Sequence, residues 1–207
     1  MIFMDREKYN FFLQRIKGDT MCTILNNVIN KHPLELLEES GQLNQIPVDL
    51  SKVLDQYGIK AILTSFEGLE ATPQIQIKGE ILGLVLVHNN DVGLFYKQSD
   101  TEHRQKFTIA HELAHCCLKG DSLKDNYIEF RSNIEWGDDK EIAANTFAGE
   151  LLIPEHSLKN VIKRLIKPSL QGLADIFDVS IEVMRKRLEM LKIEYYDDKL
   201  DHMINPE

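Results

Sequence analysis

The hydrophobic positions of the chain change period several times, and each change marks an element. Leu50, Val53, Leu54 and Tyr57 recur at helical spacing. Asp49 ahead of them suits an N-cap and Gly58 behind them a stop, which predicts a helix over 50–57. Residues 59–65 read as a strand and 66–74 as a loop. Three short β segments follow, at 75–78, 80–88 and 92–97, with Asn89-Asn90-Asp91 as the turn between the last two. The run Ile81-Leu82-Gly83-Leu84-Val85-Leu86-Val87 is almost wholly apolar, the pattern of a strand buried on both faces.

Helical periods then take over. Ser99-Asp100-Thr101 would cap a long central helix that Lys119-Gly120 ends. Residues 121–137, which hold Trp136, read as a mostly irregular connection. A second helix is expected from about Asp139 to Ile153, stopped by Pro154, and a third over about 155–166. Residues 170–192 read as two helices joined by a tight turn at Asp178-Val179-Ser180, and the acidic tail from Glu194 as frayed. Ahead of all this, residues 1–46 read as a helical extension with apolar stripes such as Phe11, Phe12, Leu13 and Ile16, punctuated by Gly18, Pro33 and Gly41. The expected organisation is therefore an extension at 1–46, a main domain at 47–193 and a tail at 194–207.

The central helix carries candidate chemistry. It contains His111-Glu112-x-x-His115, a zinc-hydrolase pattern. With about 100° between successive residues and Phe107 as origin, His111, His115 and Glu112 fall near about 40°, 80° and 140°. Thr108 lies in the same sector. The rest of the circumference carries Phe107, Ile109, Ala110, Leu113, Ala114, Cys116, Cys117 and Leu118. A helix apolar nearly all round is buried, and buried imidazoles and carboxylates need partners. Two histidines one turn apart can share a metal ion, with Glu112 beside them to handle a proton. Cys116 and Cys117 point away and read as small core residues.

A catalytic zinc takes three protein ligands and keeps one position open. Glu141 is the leading third ligand, because its helix face also carries Ala144, Asn145, Ala148 and Leu152, small enough for a second helix to approach closely. Asp138 and Asp139 are alternatives. Asp138-x-x-Glu141 also has capping-box spacing, a role that needs no metal.

Composition narrows the setting. The chain has 207 residues, 43% hydrophobic and 28% charged, which describes one globular domain with a real core. A net charge of −9 argues against a general nucleic-acid binder. Three cysteines, two of them adjacent, make no disulfide framework and suit a reducing compartment. No apolar run could span a membrane and no signal-peptide pattern occurs, so the expected location is the cytoplasm.

Phe107-Thr-Ile-Ala-His-Glu-Leu-Ala-His115, followed by Glu141-x-x-Ala-Asn145-x-Phe-Ala148-x-x-Leu-Leu-x-Pro154, resembles the ImmA/IrrE family of bacterial and phage-type metallopeptidases. The likeness extends over about residues 47–193, including Leu173-Ala174-x-x-Phe177-x-Val179-Ser180 and Arg187-Leu188-x-x-Leu191. It implies an α+β, zincin-like fold with a small mixed or antiparallel sheet on the central helix. It implies one zinc ion held by His111, His115 and Glu141, with Glu112 as catalytic base. It also implies a protein substrate, a helix-turn-helix repressor of the Xre type whose cleavage derepresses genes of a phage, a mobile element or a stress response. Two positions depart from the family pattern: Ala114, where glycine is common, and Ala143, where a second glutamate is common. In zincins generally the substrate lies along an edge strand, expected here within 80–97. Tyr96, His156 and Arg104 are conceivable oxyanion partners, each more readily explained as structural or solvent-facing.

Two other functions compete. One is a non-proteolytic module that regulates a DNA-binding partner by complex formation. The other is a DNA-binding regulator using 170–191, which has a helix-turn-helix shape with Arg185-Lys186-Arg187 in its second helix. Residues 159–193 hold eight Lys/Arg against four Asp/Glu. A helical pair packed on the main domain with a solvated basic face explains this better, because the rest of the molecule is acidic and a lone module binds DNA weakly, so direct DNA binding is not expected; the same surface could instead dock a protein.

Overall fold

The apolar run at 81–87 sits at the centre of the molecule. In the computed structural model, which describes residues 22–66, 81–88, 91–118, 127–132 and 139–206, it forms β2 (Ile81–His88), buried along its whole length on both faces. β2 pairs antiparallel with β3 (Asp91–Lys97) on one side and with β4 (Tyr127–Ser132) on the other. β1 (Ile59–Thr64) adds to β3 in parallel, giving a four-stranded mixed sheet in the order β1-β3-β2-β4. The expected segment at 75–78 and the turn residues Asn89 and Asn90 lie outside the described residues, as does Trp136.

Helices cover the sheet. After α1 (Thr23–Asn26) and α2 (Pro33–Glu39) comes α3 (Leu50–Tyr57). Asp49 caps α3 by accepting from the Ser51 N–H, and Gly58 ends it with a left-handed φ of 70°. α4 (Glu102–Leu118) carries the His-Glu-x-x-His motif and packs on β2 and β3. α5 (Asp139–Leu152) packs along α4, and α6 (Glu155–Ile162) follows Pro154. α7 (Leu170–Phe177) and α8 (Ile181–Met190) make the helix-turn-helix-like pair, with Asp178 in the left-handed region at φ 52° and Ser180 capping α8 through the Val183 N–H.

One core unites these elements. Val85, Val87, Val92 and Leu94 of the sheet meet Ala110, Leu113 and Ala114 of α4 and Ala144, Ala148 and Leu151 of α5. Leu25, Val28, Leu36 and Leu37 from 22–46 belong to the same core, and the Asn30 N–H donates to the Cys117 carbonyl at 2.8 Å, satisfying one of the last carbonyls of α4. All three cysteines are buried and free. Burial pushes the Cys116 thiol well above its ordinary value and the Cys117 thiol up to about 12, as befits inert core residues.

Three expectations need correction. The connection at 121–137 contains β4, where Ile128 and Phe130 alternate with Glu129 and Arg131 and the backbone pairs with β2. The tail is not frayed: β5 (Tyr195–Asp197) and β6 (His202–Ile204) form a hairpin whose Tyr195 and Asp197 are buried. The expected edge strand within 80–97 is internal, since β2 and β3 each have two neighbours; the sheet edges among the described residues are β1 and β4.

Candidate metal centre

The site begins with the burial of α4. Thr108 and every residue from Ala110 to Cys117 are buried, as a helix apolar nearly all round requires. His111 and Glu112 are 0% exposed and His115 2%. Small residues then set the distance to the neighbouring helix: Ala144 and Ala148 of α5 are fully buried and let it lie close to α4. Glu141, one turn before Ala144 and Asn145, is thereby carried to the two imidazoles.

Three donor atoms converge there. His111 Nε2 lies 2.9 Å from His115 Nε2 and 3.2 Å from Glu141 Oε2, and His115 Nε2 lies 3.1 Å from Glu141 Oε1. Donors about 2.0–2.1 Å from a zinc at tetrahedral corners are about 3.3–3.4 Å apart. The observed triangle is within a few tenths of an ångström of one face of that tetrahedron. Two nitrogens and a carboxylate oxygen are also the donor chemistry that zinc accepts, and a three-cornered face leaves a fourth corner open. The residues present therefore fit the ion implied by the motif. Burial alone would push the Glu141 carboxyl up, but hydrogen bonding to His111 and His115 outweighs it and holds the group well below the usual carboxylate range.

A further residue belongs to the centre. Asn145 Oδ1 is 2.9 Å from His111 Nδ1. A carbonyl oxygen can only accept, so Asn145 calls for a proton on Nδ1, which leaves Nε2 as the nitrogen that would give its lone pair to an ion at the centre. Asn145 was placed on the Glu141 face by the helical period, yet its contact with His111 depends on how two helices meet. Asp139 begins α5 and is exposed, outside the triangle. Asp138 lies outside the described residues.

Two of the conceivable oxyanion partners are engaged elsewhere. His156 Nε2 is 3.0 Å from the Leu43 carbonyl, and Arg104, itself largely exposed, pairs with Asp100 at 3.4 Å. Tyr96 lies within β3, opposite Gly83 of β2. The basic residues of α8 are likewise committed. Arg185 Nη1 donates to Asp197 Oδ2 at 2.7 Å, buried Arg187 donates from Nε to the Ile153 carbonyl at 3.1 Å, and Lys186 pairs with Glu182 at 3.0 Å. At the turn, Lys106 of α4 lies 2.8 Å from Asp178 and His103 3.1 Å, tying α7–α8 to the helix that bears the site.

Fold and donor set together define a metallopeptidase-type domain, and comparison with known proteins agrees. The chain matches the peptidase M78 family, described as the IrrE N-terminal-like domain, over residues 84–189, just over half of its length. The chain belongs to this family, which is metal-dependent. No curated protein matches it. A solved structure described as a Mycobacterium tuberculosis transcriptional regulator is 18% identical, with a TM-score of 0.44 over 89% of this chain and 51% of that one. This chain spans about half the length of that protein, and nothing below rests on the likeness. Among the described residues, no helix is long and apolar enough to cross a membrane.

Proposed function

We propose that this protein is a zinc-dependent endopeptidase that cleaves a regulatory protein, an Xre-type helix-turn-helix repressor, and so derepresses the genes under its control. The observation that carries the catalytic part is the donor triangle of His111, His115 and Glu141 with Glu112 on the same buried helix. A purely structural site has no use for a carboxylate beside its ligands.

One zinc ion held by these three residues would supply Lewis acidity, which polarises a peptide carbonyl and acidifies water. The chain's own residues do the rest. Asn145 keeps the His111 proton on Nδ1 and so keeps Nε2 available. Glu112 accepts a proton from the attacking water as its oxygen bonds to the carbonyl carbon, and delivers it to the amine nitrogen as the C–N bond breaks. β4 supports a place for the substrate. Among the described residues it is the sheet edge next to β2, and β2 is the strand against Glu112, so an extended peptide could add there by backbone hydrogen bonds.

The substrate class is supported by the resemblance to the ImmA/IrrE family. A repressor substrate would set the work in the cytoplasm, where three free thiols stay reduced. Direct DNA binding is no part of the proposal, because Arg185 and Arg187 are spent within the chain.

Co-expression with an Xre-type repressor encoded beside its gene tests the proposal. Wild type should yield repressor fragments. Glu112→Gln should keep zinc and lose cleavage by about 10²–10⁴-fold, the usual worth of a general base. Equal derepression by both proteins without fragments would replace the peptidase with a binding module.

A further inference from the structure

Within β2 the apolar run from Ile81 to Val87 is broken once, at Gly83. A glycine inside a central strand weakens it and needs a reason. Backbone conformation is not that reason, since the glycines with left-handed φ are Gly41 and Gly58. Space is. A Cβ on Gly83 would fall on Glu112 Oε1 and lie 2.9 Å from Glu112 Cδ and 2.9 Å from Thr108 Cγ2. Thr108 and Glu112 are one turn apart on α4 and face the same spot of β2. We propose that Gly83 is a positioning residue for Glu112, its missing side chain forming the socket that holds the carboxylate. This rests on the reading of Glu112 as the base.

The surroundings leave the socket no slack. Glu112 is 0% exposed, and Thr108, with a β-branched and rotamerically stiff side chain, is also buried. β2 cannot retreat, because Gly83 is in register with Tyr96 of β3 on one side and Arg131 of β4 on the other. The β2–β4 register shifts between Ile81 and Gly83, a bulge of the kind that re-aims a strand beside a functional site. Gly93 in β3 provides the contrast. A Cβ there would meet Phe95 Cε2 at 2.9 Å and Ile62 Cδ1 at 3.1 Å, both apolar side chains outside the centre. One glycine makes room for packing and the other for the proposed base.

A double-mutant cycle on thermal unfolding tests this without any substrate. Gly83→Ala should lower Tm by several degrees in the wild-type background and by less than half as much beside Glu112→Ala, where the carboxylate is gone. Gly93→Ala should lower Tm equally in both backgrounds. Equal losses for Gly83→Ala in both backgrounds would overturn the proposal, leaving Gly83 a packing residue. If Gly83→Ala alone does not fold, Gly83→Ala/Glu112→Ala must; failure of that variant also overturns it. In the co-expression assay Gly83→Ala should keep its zinc affinity within about threefold, lose cleavage at least tenfold, and add nothing to the loss in Glu112→Gln. Cleavage lost in Glu112→Gln but kept in Gly83→Ala overturns this proposal alone. Cleavage kept in Glu112→Gln overturns the peptidase reading beneath it.

Discussion

Two regions bury charged side chains in opposite ways. On α8, each buried or half-buried cation is matched to its own partner: Arg187 to the Ile153 carbonyl, Arg185 to Asp197. Burial still presses the Arg187 guanidinium below its ordinary value, with Glu150 and Glu155 acting against that pressure. Where α4 meets α5, by contrast, three donors point at one another. His111, His115 and Glu141 converge on a common point at separations suited to an ion between them. The first arrangement uses up polar capacity to hold helices together. The second gathers three groups from two helices around one point that a single ion would fit. The difference teaches that buried charge by itself does not mark a functional site; convergence of donors does.

The largest test of this contrast removes a converging donor. His115→Ala should abolish cleavage and weaken zinc binding, read by chelator competition, by more than the roughly 10–100-fold expected of any outer partner. Retained nanomolar zinc would show that the triangle is not the binding site. Next comes the outer partner itself. Asn145→Ala should weaken zinc by about 10–100-fold while leaving the unfolding midpoint of the metal-free protein nearly unchanged. A midpoint that falls with zinc affinity unmoved would make Asn145 a packing residue.

The α8 cations should behave in reverse. Arg187→Leu strands the Ile153 carbonyl in the interior and should destabilise the fold by about 1–3 kcal/mol in urea unfolding. Its effect on zinc affinity should be negligible, and a matching loss of zinc would erase the distinction between the regions. The smallest effect is the pH dependence of the Arg185–Asp197 pair. The Arg185 guanidinium, with the Lys199 and Leu200 N–H groups, holds Asp197 below its ordinary 3.8. A lowered carboxyl contributes stability that is present above 3.8 and is lost as pH falls through the folded-state value. The unfolding midpoint should therefore drop more steeply below pH 3.8 in wild type than in Asp197→Asn, and parallel curves would refute the assignment.

Much of this was legible in the chain before any coordinates. Local signals succeeded where one residue type has one strong use: Asp49 and Gly58 bound α3, Ser180 caps α8, and the apolar run of β2 is buried on both faces. They failed where partners are distant. β4 is only six residues long, and its alternation of Ile128 and Phe130 with Glu129 and Arg131 is too short to stand out until β2 pairs with it. The acidic tail reads as disordered until Arg185 and the Pro168 carbonyl are placed beside Asp197 and Tyr196. Residues 22–46 lie outside the family likeness, yet Leu25, Val28 and Leu36 are fully buried in the core.

The sequence by itself determined the reactive face of α4. A 3.6-residue period is a local property, so His111, His115 and Glu112 fall in one sector whatever the remainder does. It determined the family as well, through two motif blocks at a set spacing. Only the tertiary structure showed how closely Glu141 approaches the histidines, that Asn145 accompanies it, and what a side chain at position 83 of β2 would meet. Those answers depend on the approach of α5 and β2 to α4 to within ångströms, and such distances are set by the packing of side chains far apart in the chain.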